Sequence, residues 1–158
     1  MIEIMVLPAV EMEGKNITSD TLVISIVSPY VIHPKIGGEY VYQFEFYDVT
    51  EEYFLEKQNK IIRPMEYEIA ESIVEICMNH RDKKKWIIHC EAGISRSPGV
   101  AIGLARYIDL SINVETLVNM FPCYNKHVQS NIEKAMRAKL LEIELNLRER
   151  SMIDPHGF

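Results

Sequence analysis

The residue types best suited to chemistry in this sequence lie in one short stretch, residues 89–98, which reads HCEAGISRSP. The apolar run WII before it, at 86–88, is typical of a strand buried on both faces. The apolar residues that follow it predict a helix. Cys90 and Arg96 therefore flank a short loop at a strand-to-helix turn.

A loop of this kind is suited to binding a tetrahedral anion. Its backbone N–H groups can converge on one point, and the N-terminus of the following helix directs its positive end there. Gly93 permits a turn that a Cβ would obstruct, and the guanidinium of Arg96 can bind two phosphoryl oxygens. The residues expected to line this anion site are Glu91, Ala92, Gly93, Ile94, Ser95 and Arg96.

The same positive field would act on Cys90 at the base of the loop. Positive surroundings favour thiolate over thiol, and the thiolate is the nucleophilic form. We expect Cys90 to attack the phosphorus of a bound monoester in line, giving a cysteinyl-phosphate that water then hydrolyses. Ser97 can donate a hydrogen bond to the sulfur, which makes the sulfur a better leaving group. His89 is expected to organise the loop through hydrogen bonds rather than to act as a base.

The pattern HCxxGxxRS after an apolar strand resembles the signature loop of the cysteine-dependent protein tyrosine phosphatase superfamily. HCEAGISRS is most similar to the small dual-specificity-type and predicted bacterial or phage tyrosine phosphatases. Weaker similarity at 23–26, 44–48 and 122–125 extends the resemblance over most of the chain. It implies a phosphotyrosine protein phosphatase-like α/β fold and hydrolysis of phosphotyrosine, and leaves open whether phosphoserine and phosphothreonine are also substrates.

The resemblance also implies a general acid that protonates the leaving oxygen. In this superfamily the acid is an aspartate on a loop upstream of the cysteine, and Asp48 is the matching position, just after FEFY. Such an acid has to be protonated in the complex. Glu51 and Glu52 are alternatives for this role, and Asp48 could instead only cap a turn.

The elements that would position these residues form a single α/β domain. Runs rich in β-favouring residues predict strands at 2–7, 22–27, 40–47 and 86–89. Apolar residues at helical spacing predict helices at 65–80, 98–109, 113–120 and 128–149. We expect residues 1–150 to form one domain with a mainly parallel sheet of about four or five strands and helices on both faces, with the loop at the carboxyl end of the buried strand.

Two expectations concern the C-terminal part of the chain. In the last helix, an apolar stripe is expected to pack against the sheet. The residues of this stripe are Ile132, Met136, Leu140, Ile143 and Leu147. Residues 151–158 are predicted to form a flexible tail.

Composition limits the classes of function. The chain has 158 residues, 47% apolar and 25% charged, which fits one compact domain. The formal net charge of −6 argues against binding to nucleic acid or anionic lipid through overall charge. No apolar run is long enough to span a membrane, and the N-terminus does not resemble a secretory signal. Three cysteines without a CxxC pair fit a reducing compartment, so we expect a cytoplasmic protein.

Other chemistries are disfavoured. The histidines other than His89 lack the spacing of metal ligands. Hydrolysis through a cysteinyl-phosphate also needs no metal, so we expect no metal and no cofactor. GISRS is not a GxSxG elbow, and no GxxxxGK stretch exists, which argues against a serine hydrolase and a nucleotide-driven P-loop enzyme. Cys77 and Cys123 are predicted to be packed thiols. Either could instead form a protective disulfide with Cys90.

The residue types in the loop also limit the class of substrate. Phosphoinositide phosphatases that resemble this superfamily usually carry lysines in the loop, and this loop has none. Glu91 is expected to place a negative charge near the rim, which would disfavour triphosphate-ended RNA. A phosphorylated protein or peptide is therefore the expected partner. Two alternatives stay open, namely a phosphate-recognition module without turnover and a phosphatase that acts on nucleotide or RNA ends.

Overall fold

The computed structural model describes residues 1–153. Most strands precede the longer helices in this range, and a single 3₁₀ turn lies at Glu56–Gln58. The elements in chain order are β1 Glu3–Pro8, α1 Ala9–Met12, β2 Thr21–Val27, β3 Val41–Glu45, β4 Tyr53–Leu55, β5 Lys60–Ile62, α2 Tyr67–Asn79, β6 Lys85–Cys90, α3 Arg96–Ala105, α4 Val114–Met120 and α5 Lys126–Ile153.

The central sheet is parallel and has four strands in the order β1-β6-β2-β3. β6 lies between β1 and β2 and is buried over nearly its whole length, as the apolar run at 86–88 predicts. The predicted α/β domain with a parallel sheet is therefore confirmed. Because all four strands run in one direction, their carboxyl ends lie at one edge of the sheet, where the loop after Cys90 also lies.

The two faces of this sheet are covered differently. Alternate residues of the strands, such as Ile24 and Ile88, pack in the main core together with residues of α2, α3, α4 and α5. Val23 and Ile87 point the other way and pack against Met12 of the one-turn helix α1. The four longer helices thus cover one face, and α1 with its neighbouring loops covers the other.

Helix α3 is held tightly between the sheet and α5. A Cβ on Gly103 would lie 2.7 Å from the side chain of Ile132, so α3 and α5 approach at a distance that only glycine permits. Val100, Ile102 and Leu104 of α3 are fully buried, and each such side chain contributes about 1.5–3 kcal/mol. This packing fixes the start of α3, where Arg96 lies.

The β4–β5 hairpin and α1 were not predicted. Each hairpin strand has three residues, which is too short to show a two-residue alternation. The hairpin turn places Asn59 in the left-handed region, at a φ of 48°. The third strand is also shorter than predicted, since β3 spans Val41–Glu45 rather than 40–47.

The prediction that one stripe of the last helix packs against the sheet is wrong, because α5 packs mainly against α2 and α3, and most of the stripe leaves the core beyond Met136. Ile132 and Met136 are buried and Ile143 is partly buried, but Leu147 is 59% exposed, because the 28-residue helix α5 is longer than the core that it covers. The helix continues to Ile153, three residues into the predicted tail 151–158, and 154–158 lie outside the described residues. No helix within residues 1–153 is long and apolar enough to cross a membrane.

Candidate active site

The loop of interest joins β6 to α3, so Cys90 is the last residue of the central strand and Arg96 the first residue of the helix. Gly93 has a φ of 73°, and a Cβ there would lie 2.7 Å from the backbone nitrogen of Pro8. The backbone N–H of Ala9 donates to the carbonyl of Glu91 at 3.1 Å. The loop therefore packs against the end of β1 in a conformation that favours glycine.

The sulfur of Cys90 lies at the base of the loop and the residue is 2% exposed. The backbone N–H of Gly93 donates to Sγ at 3.2 Å, and the hydroxyl oxygen of Ser97 lies 3.1 Å from the same sulfur. Both groups can donate a hydrogen bond to a thiolate, which stabilises the charged form. Ser97 thus lies beside the sulfur, as the sequence predicts.

Several donors of the loop are unused by the protein. Within residues 1–153, the backbone N–H groups of Ala92, Ile94 and Ser95 donate to no protein acceptor. Helix α3 begins at Arg96 without a side-chain cap, so its first N–H groups add to the positive potential there. An oxyanion held in the loop can accept from these donors.

Arg96 is buried, and most of its donors have partners. Nη1 donates to the carbonyl of Phe46 at 2.8 Å and to the hydroxyl of Ser28 at 3.0 Å. Nη2 lies 3.5 Å from the carboxylate of Glu91. Nε is buried and has no partner in the described part of the chain. A buried charged donor without a partner is unfavourable, and an anion in the loop would satisfy it.

The carboxylate of Glu91 is paired rather than free at the rim. It accepts from the backbone N–H of Ser28 at 2.7 Å and lies beside the Arg96 guanidinium. Partial burial by itself would raise the pKa of Glu91, but the hydrogen bonds with Ser28 and the charge of Arg96 outweigh it, and the pKa lies below its ordinary value. The negative charge of Glu91 thus lies beside the loop as expected, but its pairing with Arg96 weakens the argument against triphosphate-ended RNA that was based on it.

His89 is fully buried on the face of the sheet opposite to Cys90 and belongs to a chain of hydrogen bonds. Its Nδ1 lies 3.4 Å from the carbonyl of Cys90, and its Nε2 lies 2.6 Å from Oγ of Ser25. Oγ of Ser25 in turn lies 2.8 Å from Nδ1 of His33. This chain links the backbone at the candidate nucleophile to β2 and to the loop after it.

Burial, together with a smaller effect of the neighbouring His33, lowers the pKa of His89 to about 4, although the contact with the Cys90 carbonyl acts in the opposite direction. The ring is therefore neutral at neutral pH and has one donor and one acceptor nitrogen. With Nδ1–H donating to the Cys90 carbonyl, Nε2 accepts from the hydroxyl of Ser25. The oxygen of Ser25 then accepts from Nδ1–H of His33, so each contact has one donor and one acceptor.

Asp48 lies at the rim of the loop. Its Oδ1 accepts from the hydroxyl of Ser95 at 2.7 Å and from Nδ2 of Asn125 at 2.9 Å. The side-chain oxygen of Asn125 accepts from the backbone N–H of Val128 at the start of α5, at 3.0 Å. The structure therefore brings Asp48 beside the loop through donors from two different parts of the chain.

The other two acidic candidates lie farther along the same groove. This groove has a volume of about 430 Å³, and its lining residues include Asp48, Glu51, Glu52, Tyr53, Ser95, Cys123 and Tyr124. Glu52 lies 3.7 Å from Nε of Arg63, so its charge is partly paired. The groove borders the loop through Ser95, and its charged lining is acidic.

The three cysteines are not joined by disulfides. Cys77 is buried in the main core, and burial raises its pKa, so the prediction of a packed thiol is confirmed there. The same prediction is wrong for Cys123, which is exposed because the short connection between α4 and α5 lies at the surface. No cluster of three or more candidate metal ligands occurs within residues 1–153.

Five contributors to this site were not predicted from the sequence. Ser25 could have been found, since it is the polar residue inside the apolar run LVISIV, and a buried hydroxyl needs a partner. Ser28 and Asn125 gave no signal, because their partners are distant in sequence, and His33 gave none, because a lone histidine shows no spacing pattern. The carbonyl of Phe46 could not be found, since any residue type supplies a carbonyl.

The geometry combines a buried sulfur with two hydrogen-bond donors, a guanidinium with one unpartnered nitrogen, and a carboxylate at the rim. Comparisons with protein-family models, with curated proteins and with solved structures find no match. The function proposed below therefore rests on this geometry and on the resemblance of residues 89–97 to the tyrosine phosphatase signature loop.

Proposed function

We propose that this protein hydrolyses phosphate monoesters on proteins, phosphotyrosine above all, through a cysteinyl-phosphate intermediate, as a relative of the small dual-specificity-type tyrosine phosphatases. The observation that supports this most is the sulfur of Cys90, with donors at 3.1 and 3.2 Å, in a loop that ends on Arg96. The buried, unpartnered Nε of that arginine marks where an oxyanion would bind.

Substrate binding would use donors that are already in place. The hydrogen bonds from Nη1 of Arg96 to Phe46 and Ser28 fix the guanidinium plane, and Glu91 holds its other terminal nitrogen. The phosphate then meets Nε and the unused N–H groups of the loop. Donors that need no rearrangement stabilise the charge of the transition state more than mobile ones.

The first chemical step transfers the phosphoryl group to sulfur. The thiolate of Cys90 forms a bond to phosphorus while the bond from phosphorus to the ester oxygen breaks. Asp48 gives its proton to the departing oxygen, which would otherwise leave as an alkoxide or phenolate. The acid must be protonated in the complex.

The second step releases phosphate. Water attacks the phosphorus, its proton passes to Asp48, and the sulfur–phosphorus bond breaks. The sulfur leaves as a thiolate, and the Gly93 N–H and the Ser97 hydroxyl stabilise its charge. The product is inorganic phosphate. Cys90 is again a thiolate and Asp48 is again protonated, so both groups are ready for the next turnover.

The groove next to the loop supports a protein substrate over a nucleic acid. Besides the candidate acid, its charged lining consists of Glu51 and the partly paired Glu52, which would repel the additional phosphates of a nucleotide or an RNA end. The three unpaired thiols fit a reducing compartment, so we place the protein in the cytoplasm.

A phosphate-recognition module without turnover is the second candidate. Both hydrogen bonds that Asp48 accepts stabilise its carboxylate rather than the carboxyl that a general acid needs. Such a module would use the same loop and the same arginine to bind a phosphorylated residue.

The test is the hydrolysis of p-nitrophenyl phosphate with a metal chelator present. The wild-type protein should turn over, and Cys90→Ser should lower kcat by about 10⁴-fold or more. Cys77→Ala is the matched control, since it removes a thiol of α2 outside the loop and the groove, and it should keep the wild-type rate.

Two results would contradict the proposal. If wild type and Cys90→Ser are equally inactive while both bind a phosphotyrosine peptide, the protein is a recognition module. If wild type releases phosphate from triphosphate-ended RNA much faster than from phosphopeptides, the substrate class is wrong.

A further inference from the structure

We infer that the substrates carry apolar residues next to the phosphorylated residue, and that these residues dock on an exposed apolar surface at the mouth of the site. This surface, the apolar rim, consists of Tyr30, Ile32 and Ile94, which are 93%, 90% and 56% exposed. The inference rests on the proposed function. Single exposed apolar residues are common in proteins, but a group of large ones beside a candidate site is typical of an interaction surface.

The apolar rim is built from two segments that both adjoin the candidate phosphate site. Tyr30 and Ile32 lie in the loop after β2, just beyond Ser28, which contacts both Arg96 and Glu91. The turn is closed by a hydrogen bond from the N–H of Val31 to the carbonyl of Ser28, at 3.1 Å. Ile94 belongs to the anion-binding loop itself. A chain whose phosphate enters the loop therefore passes these side chains.

Tyr30 has an unfavourable backbone conformation that packing does not explain. Its φ of 70° lies in the left-handed region, which is rarely adopted by residues other than glycine, asparagine and aspartate. The side chain is almost fully exposed, and Nζ of Lys60 lies 5.9 Å from its ring centroid. A strained residue that presents an aromatic ring to solvent beside a candidate site indicates a binding role.

Lys60 also connects Tyr30 with the loop that carries the candidate acid. Its Nζ donates to the hydroxyl of Tyr47 at 3.0 Å and lies 5.3 Å from that ring. Tyr47 directly precedes Asp48. The apolar rim and the acidic groove therefore lie on neighbouring parts of the same mouth.

The charges at this mouth favour a peptide as the occupant. Besides the candidate acid, Glu51 and the partly paired Glu52 line the groove, and their charge would repel an anionic lipid surface or the backbone of a nucleic acid. A phosphopeptide needs only one dianion, which the loop accepts, and its flanking side chains can be neutral and apolar. A peptide thus matches both the apolar rim and the charge around it.

The experiment compares two phosphotyrosine peptides of equal length and charge, one with leucine and one with serine on both sides of the phosphotyrosine. The wild-type protein should prefer the leucine peptide in kcat/KM by about tenfold or more, as expected for burying one or two aliphatic side chains. Tyr30→Ser combined with Ile32→Ser should bring this ratio close to one. Leu147→Ser is the matched control, since it removes an exposed leucine of α5 far along the chain from both segments, and it should keep the wild-type ratio.

Several outcomes would overturn the inference. One is a wild-type protein without preference, and another is a double variant that keeps the full preference. A third is sedimentation of the wild type as a dimer that the double variant dissociates, which would assign the apolar rim to a second copy. A fourth is binding of the wild type to uncharged phosphatidylcholine vesicles that the double variant loses, which would assign it to lipid.

The proposed function and the apolar rim can fail separately. Absence of p-nitrophenyl phosphate turnover by the wild type would contradict the function. The same two peptides would then be compared by their affinity in calorimetry, where the inference predicts the same ratio and the same loss in the double variant. Thermal unfolding of each variant checks that the fold is retained.

Discussion

Replacing His89 with glutamine should remove much of the acid sensitivity of the fold. Burial lowers the pKa of His89 to about 4, whereas in the unfolded chain a histidine has an ordinary pKa of about 6.5. Between these values the unfolded chain binds a proton that the folded protein does not bind, so acid favours unfolding. The stability contributed by the neutral ring is fully present above pH about 6.5 and is lost as the pH falls to about 4.

The size of the effect follows from the two pKa values. One pKa unit corresponds to about 1.4 kcal/mol, so this ring makes the free energy of unfolding fall by about 3 kcal/mol across the window. That is a large part of the 5–15 kcal/mol by which most domains are stable. The pKa values of His33, Glu75 and Glu91 are also lowered in the fold, and these groups act in the same direction.

The assay is urea unfolding of wild type and His89→Gln at a series of pH values from neutral to about 4. His33, Glu75 and Glu91 are present in both proteins, so their effects largely cancel in the difference. The variant should be less stable near neutral pH, because glutamine does not reproduce the contacts of the ring with Ser25 and the Cys90 carbonyl. The difference in free energy of unfolding between wild type and variant should shrink by about 3 kcal/mol as the pH falls from neutral to about 4. Equal pH dependence of the two proteins would refute the description of His89 as a buried neutral ring.

Three further predictions concern the loop and the cysteines. Asp48→Asn should lower kcat on an alkyl phosphate by about 10²-fold or more, and much less on p-nitrophenyl phosphate, whose leaving group needs little protonation; equal losses on both would remove Asp48 from the mechanism. Gly93→Ala should destabilise the fold by about 1–3 kcal/mol in urea unfolding, because the φ of 73° is strained for alanine and the new Cβ meets the backbone of Pro8; an unchanged midpoint would contradict the described turn. A thiol-alkylating reagent should label Cys123 quickly in the native protein and Cys77 only on unfolding, as mapped by mass spectrometry; rapid labelling of Cys77 would contradict its burial.

Much of the fold could be predicted because its signals are local. The apolar run at 86–88 indicates a strand buried on both faces, and the structure places β6 between β1 and β2. The spacing of apolar residues likewise predicts α2 and α3. The hairpin of β4 and β5 is too short for such a pattern, and the end of the core along α5 depends on tertiary packing rather than on the stripe itself.

The candidate site also has one part that local spacing predicts and another part that depends on tertiary contacts. Cys90, Gly93 and Ser97 lie within one turn of the chain, so their proximity follows from their spacing. The pairing of Glu91 with Ser28 and of Arg96 with the Phe46 carbonyl depends on which strands lie side by side, and a single sequence does not contain that information. The sequence therefore predicts a negative charge of Glu91 near the rim but not its pairing with Ser28 and Arg96.

The most direct test of the proposed mechanism is to trap the covalent intermediate. The protein is mixed with a ³²P-labelled phosphotyrosine peptide and quenched in acid within a turnover, and the labelled fragment is identified by peptide mapping. The mechanism predicts label on the fragment that contains Cys90, and none in Cys90→Ser. Steady turnover by the wild type with no label on Cys90, or with label on another residue, would contradict it.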